Sequence, residues 1–332
     1  MRFLPTDEQR AFARSLDAML TATGTPAAVR ARAAGDDGPA RALWTRLGGA
    51  GVFALAVPEA YEGVGPLPVE LAHAFVELGR HAVPGPLVET VAAGALLAEL
   101  AARGESGPAK RFLPGIAEGT TPATLAMAEV SPYALDPDLA GVLFAVEGEE
   151  LRLAPGHGEP RASADPARRL ARPAPGGEPL AAGPAVVAAA RTARRWALLA
   201  TAAQSLGVGL ALLDRSVAYA RQRTQFGRPI GSFQAVKHRL ADTLLALEFA
   251  RPLVFGAALS SASGDLAAAK VAAGEAAHTA ASTALQVHGA VGYTEELDLS
   301  LWLRKARPLR DAWGTPSWCR GQVLAGRDQD RT

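Results

Sequence analysis

The sequence has a single cysteine, Cys319, among its 332 residues. One thiol cannot form an intrachain disulfide, and it cannot supply a structural zinc site built from several cysteines. We therefore expect no metal centre. The lack of disulfides is typical of a reducing compartment, so the sequence predicts a cytoplasmic protein.

An excess of charge of either sign is also missing. The chain carries 34 basic and 33 acidic residues, for a net charge of +1. Proteins that bind nucleic acid or an anionic membrane surface need a basic excess, so neither class of partner is expected. The N-terminus is charged within its first ten residues and shows no apolar run of the signal-peptide kind.

Long uncharged runs are scarce, and one that tests for a membrane span covers residues 196–213. Its length approaches the ~18 residues that a membrane-spanning helix requires. It is rich in alanine, however, and contains Gln204, Gly207 and Gly209. We interpret it as the buried helix of a large helical domain.

Apolar periodicity divides the chain into three predicted domains. Residues 1–118 have the three- and four-residue spacing of helices, and residues 183–332 predict long helices joined by short loops, as in an antiparallel bundle. Between them, 119–182 predicts a small β domain, with a strand at 124–130, a hairpin around Gly148 and an irregular loop over 156–179. The expected fold class is mainly α with a small β middle domain.

The most specific segment is RQRTQFGRPIGSFQAVKHRLAD, residues 221–242. It predicts a helix end rich in arginine, a turn at Gly227 and Pro229, and a new helix that begins near Phe233. Basic side chains beside the free N–H groups of a helix start suit a phosphate-bearing ligand. The ordinary alternative is that these arginines are solvated cations at a helix end.

Three segments in order resemble the acyl-CoA dehydrogenase family. Residues 223–234 have the family's Arg-x-x-Phe-Gly-x-Pro-Ile-x-x-Phe-Gln pattern. Residues 284–307 are similar to its Gln-x-x-Gly-Gly-x-Gly-Tyr segment with a following arginine, and residues 47–80 to its N-terminal Pro-Glu and Glu-x-x-Gly-Arg features. The resemblance implies a helical N-terminal domain, a β domain and a C-terminal four-helix bundle, with FAD bound partly across a subunit interface.

The resemblance also implies which residues meet FAD, mostly its ADP portion, in a flavin held largely by a neighbouring subunit. They are Arg223, Phe233, Gln234, Gln286, Val287, His288, Gly289, Ala290, Thr315 and Ser317. Two of these positions depart from the family pattern, with Ala290 in place of glycine and Ser317 in place of glutamine. For Gln286 and Gly289 the ordinary alternative is a helix C-cap with a bonded amide.

The family's catalytic base has no counterpart at either usual position. The base is a glutamate that removes the α-proton of the acyl-CoA thioester. Alignment from Arg304 places Trp313 at one glutamate position, and alignment from Arg223 places Ala197 at the other. Three other acids could substitute, although exposed or ion-paired roles suit them better: Asp311, Glu275 and Asp214.

The β section also departs from the family. A flavin-contacting Thr-Glu-Pro segment is replaced by Ala128-Glu129-Val130-Ser131-Pro132, and no tryptophan occurs between Trp44 and Trp196. The sequence therefore predicts that this β domain does not hold a flavin ring. The chain resembles the short, non-catalytic subunits of the α2β2 actinobacterial enzymes that shorten steroid side chains.

That resemblance implies a full-length acyl-CoA dehydrogenase paralogue as partner, acyl-CoA as ligand, and electron transfer from the complex to electron-transferring flavoprotein. Two alternatives stay open. In the first, the chain is a self-sufficient dehydrogenase whose base, such as Asp311 or Glu275, is not located. In the second, it is a non-redox protein that binds acyl-CoA or acts as a scaffold.

Overall fold

The structure, a computed structural model, describes residues 4–329. Eleven α-helices lie in this range: α1 Asp7–Thr23, α2 Thr25–Ala33, α3 Gly38–Gly49, α4 Pro68–Arg80, α5 Leu87–Ala102, α6 Ser106–Glu118, α7 Pro184–Gln222, α8 Gln234–Ser260, α9 Ser263–His288, α10 Leu299–Asp311 and α11 Pro316–Gln329. The strands are β1 Ala123–Met127, β2 Ala134–Leu135, β3 Val142–Glu147, β4 Glu150–Leu153, β5 Arg161–Ala162, β6 Arg169–Ala171, β7 Glu178–Ala182, β8 Thr224–Gln225 and β9 Arg228–Pro229. The predicted fold class, mainly α with a small β section, is confirmed.

The chain forms two compact units. One contains Met1–Thr21, Phe75–Ala82 and Thr201–Thr332, and the other contains Ala22–Ala74 and Val83–Ala200. Helices α1, α4 and α7 contribute residues to both. The three-part division of the chain remains a prediction.

The sheets of the second unit follow from short apolar runs. Strands β1, β3, β4 and β7 form one sheet in that order, with β1 parallel to β3 and the other pairs antiparallel. Strand β1 is buried on both faces, as expected for a strand with no polar alternation. The predicted hairpin is β3–β4, where Glu147 pairs with Glu150 and Gly148 has a φ of 58°.

The irregular loop predicted for 156–179 is wrong in part. Strand β6 lies within it and pairs with both β2 and β5, and β7 begins at Glu178. Partners distant in sequence satisfy this backbone, as when Asp136 N donates to Arg169 O at 2.7 Å. A hydropathy pattern carries no signal for such short strands, because their pairing depends on a segment that is remote in sequence.

A buried ion cluster joins the helices and the smaller sheet within this unit. The Arg32 side chain is fully buried and donates to both carboxylate oxygens of Asp138, at 2.8 and 2.6 Å. It also donates to Asp37 and to the buried Asp136. Arg169, from β6, donates to Asp138 and to Arg32 O. The cluster thus ties α2 to the β section.

The other unit is built around α8, α9, the end of α7 and the two C-terminal helices. Glycine permits close helix contact within it: a Cβ on Gly207 would lie 1.9 Å from Val76 O, and one on Gly79 would lie 2.1 Å from Gln204 O. Larger residues would force the α4 and α7 segments of this unit apart. Gly207 thus explains part of the unusual composition of residues 196–213.

Two helices are long and apolar enough to span a membrane by length and composition. In α7, 94% of the most apolar window is buried within the protein, as expected of a core helix. In α8, only 33% of that window is buried. A helix that is apolar on most sides yet poorly covered has a surface available for another molecule.

Candidate functional site

The first group of candidate residues lies where α7 ends and α8 begins. Arg223 N donates to Tyr219 O at 2.8 Å and closes the last turn of α7, and the Arg223 side chain is exposed. The chain then reverses through β8 and β9, in which Gln225 pairs with Arg228. Phe226 and Gly227 form the two-residue turn with φ values of 54° and 75°, the positive values that a type I′ turn requires.

Helix α8 begins directly after this hairpin. Phe233 is its N-cap residue, with an extended backbone and no side-chain cap, so the N–H groups of the first turn, from Gln234 onward, have no partner inside the helix. The guanidinium of Arg228 stacks on the Phe233 ring at 4.2 Å from the ring centre. The exposed Arg223 side chain and the start of α8 therefore offer the donors of this group that suit a phosphate.

The second group lies at the end of α9. Gly289 is the C-cap residue, and its φ of 61° and ψ of −139° are accessible mainly to glycine. A Cβ at Gly289 would meet nothing within 4 Å, so the backbone here is open to a ligand. The C-cap alternative therefore describes Gly289 correctly. Gln286 and Ala290 are exposed, and Val287 is half-buried.

His288 has a structural role in this group. It is buried, its Nδ1 lies 2.8 Å from Ala284 O, and its ring stacks on Tyr219 at 4.2 Å. Burial lowers the pKa of His288, so the imidazole is neutral at pH 7. Tyr219 O accepts the N–H of Arg223, which lies one turn further along the chain, so the stack of Tyr219 on His288 brings the first two groups together.

The third pair, Thr315 and Ser317, lies at the start of α11. Both side chains are exposed, and Thr315 Oγ1 accepts from Trp318 N at 3.3 Å as the helix begins. Helix α11 packs against α9. Thr315 thus caps a helix whose neighbour carries the second group.

Both residues that the family resemblance assigns to the base positions are buried, and neither is a proton acceptor. Trp313 is 3% exposed and Ala197 is fully buried. Trp313 also has a φ of 61°, a value that a bulky residue adopts rarely. Neither an indole nor a methyl group can remove a proton from carbon.

The three acids considered as substitutes lie on ion-paired surface positions. Asp214 pairs with Arg80 at 2.8 Å, Asp311 with Arg307 at 3.7 Å, and Glu275 with Arg320. All three carboxylates are more than 40% exposed. A catalytic base needs a fixed position against its substrate inside a water-excluding site, so none of these exposed, ion-paired carboxylates has the setting of one.

Two aromatic features escaped prediction. Phe226 is 91% exposed, and its ring meets the edge of Phe233 at 6.1 Å. Tyr219 supports the site from α7 by stacking on His288. The Phe-Gly pair in the turn was a usable signal for the hairpin, whereas the tyrosine stack depends on a residue distant in sequence.

Comparison with known proteins covers both helical parts of the chain. Residues 6–120 match the family description "Acyl-CoA dehydrogenase, N-terminal domain", and residues 187–326 match "Acyl-CoA dehydrogenase, C-terminal domain". The acyl-CoA dehydrogenase IpdE2 of Mycobacterium tuberculosis is 35% identical over 305 residues, which is 91% of this chain and 92% of that protein.

Solved structures show the same fold. The Tcur3481-Tcur3483 steroid acyl-CoA dehydrogenase, in a G363A variant, matches with a TM-score of 0.83 and 23% identity, over 98% of this chain and 99% of that one. A chain of the ChsE4-ChsE5 complex from Mycobacterium tuberculosis matches with a TM-score of 0.77 and 24% identity, over the full length of both chains.

Proposed function

Because the chain belongs to the acyl-CoA dehydrogenase family, we propose that it is the non-catalytic subunit of a heteromeric acyl-CoA dehydrogenase. It completes the ADP end of an FAD site whose flavin ring and base belong to a full-length paralogue. One observation carries this proposal. Trp313 and Ala197 bury the two base positions, while Arg223 and Gln286 stay exposed.

The exposed residues fit the ADP portion of FAD. Arg223 offers a guanidinium fork for the diphosphate, and the uncapped start of α8 offers backbone N–H groups beside it. The open backbone at Gly289 allows close approach of the same ligand. Phe233 is already covered on one face by Arg228, so its role is to shape this surface.

The ring end of FAD fits this chain poorly. The turn after β1 has Val130 where the family has proline, and no tryptophan lies between Trp44 and Trp196 to cover a flavin. When bound, FAD would supply the hydride acceptor for the substrate's β-carbon in this family. The residues of this chain would orient the cofactor for that step, and the α-proton would be removed by a carboxylate of the partner.

The surface of α8 supports assembly with another subunit. Five large apolar side chains on this helix are between 45% and 73% exposed: Leu244, Leu245, Phe249, Leu253 and Leu259. Leu245, Phe249 and Leu253 recur at four-residue spacing, so these three form one stripe along the helix. Exposed apolar patches of this kind are characteristic of subunit contacts. The proposed occupant is the catalytic paralogue.

The proposed substrate class and assembly are taken from the similar solved structures. A neighbour described as a steroid acyl-CoA dehydrogenase supports an acyl-CoA with a bulky steroid body as substrate. The neighbour described as a two-component complex supports a heteromeric assembly. Electrons would leave the complex through electron-transferring flavoprotein, and the cytoplasm remains the predicted location.

Expression of the chain alone and together with a full-length paralogue tests the proposal. We expect flavin absorbance and dehydrogenation of acyl-CoA only when both chains are present. A yellow, active protein from this chain alone would support a self-sufficient dehydrogenase. A colourless chain that binds acyl-CoA and leaves the paralogue unaffected would support a non-redox role.

A further inference from the structure

A separate cavity of about 250 Å³ lies beside the turn that follows β1, and all of its lining residues belong to one compact unit. Its floor is apolar and at most 9% exposed, formed by Met127, Val146 and Ala190. The volume is slightly below the ~300–1,000 Å³ of typical ligand pockets, which favours a small ligand.

The rim of this cavity is cationic on one side. Arg191 and Arg194 line it from α7, three residues apart and therefore on one face of the helix. Arg191 is exposed and Arg194 is half-buried, while Glu129 is the acid among the lining residues. Two guanidinium groups against one carboxylate give the cavity a net positive charge.

We propose that this cavity binds a small amphiphilic anion, with an oxyanion group at Arg191 and Arg194 and an apolar body over Met127 and Val146. A carboxylate or phosphate suits paired guanidinium groups because each can accept charge-assisted hydrogen bonds from them. The apolar floor excludes a purely ionic ligand as the preferred occupant. The inference rests on the proposed function in one respect, namely that no flavin ring is held beside this turn.

Methyl-labelled methionine provides a direct probe. The chain has three methionines, of which Met127 lies on the cavity floor and Met19 lies on α1, in the other unit. With ¹³C-methyl methionine in the full chain, octanoate should shift the Met127 resonance in a saturable manner and leave that of Met19 in place. 1-Octanol, which lacks the charge, should bind at least tenfold more weakly.

Substitution of the arginines separates charge from apolar contact. Arg191→Met and Arg194→Met keep an apolar stem, so each should weaken octanoate binding about tenfold and leave octanol binding unchanged. Arg195→Met is the matched control, since this exposed arginine bonds to Thr192 on its own helix and does not line the cavity. Its octanoate affinity should equal that of the wild type.

Three results would overturn the inference: equal affinity for octanoate and octanol, unchanged octanoate affinity in both arginine variants, or an unmoved Met127 resonance. Flavin retention decides between the two proposals. If the chain purified alone holds FAD and then excludes octanoate, both the proposed function and the cavity assignment fail. If the flavin-free chain ignores octanoate, only the cavity assignment fails.

Discussion

Replacing Arg32 with methionine should lower the free energy of unfolding of the unit that contains β1–β7 by more than a surface substitution does. Arg32 is buried and bonds to Asp37, Asp136 and Asp138, so its loss leaves three carboxylates around Arg169 alone. Methionine fills the space of the aliphatic stem, which restricts the change to the charge and its hydrogen bonds.

The magnitude follows from the pKa of Asp138 and from the usual cost of breaking a buried ion pair. The pKa of Asp138 falls from 3.8 to about 2, because hydrogen bonds from Arg32 and Arg169 outweigh the effect of burial. Because this pKa is lowered, ionised Asp138 stabilises the fold above pH 3.8, and the stabilisation is lost as the pH falls through about 2. The shift from 3.8 to about 2 corresponds to about 2 kcal/mol of folding free energy. Loss of one partner from a buried ion pair typically costs ~3–5 kcal/mol. We therefore expect Arg32→Met to cost about 3 kcal/mol at pH 7.

Urea unfolding at pH 7, followed by far-ultraviolet circular dichroism, measures this cost. Arg111→Met is the matched control, because Arg111 also joins a helix to a strand, through Glu178 at 2.7 Å, yet both side chains are about half exposed. An exposed pair contributes ~0–1 kcal/mol. If the two variants lose stability equally, or if Arg32→Met loses under ~1 kcal/mol, the buried cluster does not stabilise the fold as argued.

Other predictions concern the cofactor, the interface, the base and pH. Arg223→Ala should lower the FAD occupancy of the complex by about tenfold or more, measured by flavin absorbance, whereas Arg221→Ala, an exposed arginine on the same helix end, should not. Phe249→Asp should prevent assembly with the paralogue in size-exclusion chromatography without changing the helicity of the chain. Trp313→Glu should not create dehydrogenase activity in the isolated chain, because the ring-binding residues are missing too. Burial raises the pKa of Asp136 from 3.8 to about 6, so its ionisation opposes folding increasingly as the pH rises from 3.8 to about 6, and by a constant amount above that. Asp136→Asn should therefore cost less stability at pH 8 than at pH 5 in urea titrations.

Much of the fold could be predicted because its signals are local. The end of α7 at Gln222 precedes Gly227 and Pro229, which break helices through their own backbone chemistry. The β3–β4 hairpin follows from Gly148 between two apolar runs. In both places, residues a few positions apart determine the structure.

The remaining features depend on residues that are far apart in the sequence. The bond between Arg32 and Asp136 joins positions separated by 104 residues. Strand β6 exists because β2 and β5 pair with it. No periodicity within residues 156–179 carries that information, since each strand of the pairing has only two or three residues.

The candidate site, like the fold, was predicted where its signals are local and missed where it depends on packing between helices. The motif of residues 223–234 correctly placed a helix end, a turn and a new helix start, which positions Arg223 on the surface. No pattern in the sequence indicates that His288 is buried against Tyr219, since that stack forms only when α7 and α9 pack. The FAD contacts themselves remain predictions.

The central claim is that this chain removes no proton from the substrate, and exchange at the substrate's α-carbon in deuterium oxide tests it most directly. The complex is assembled with the partner's catalytic glutamate replaced by glutamine, so that only this chain could supply a base. Mass spectrometry of recovered acyl-CoA should then show no deuterium beyond the enzyme-free level. Exchange that persists in this complex and disappears on Asp311→Asn or Glu275→Gln would contradict the account, because a carboxylate of this chain would then be the base.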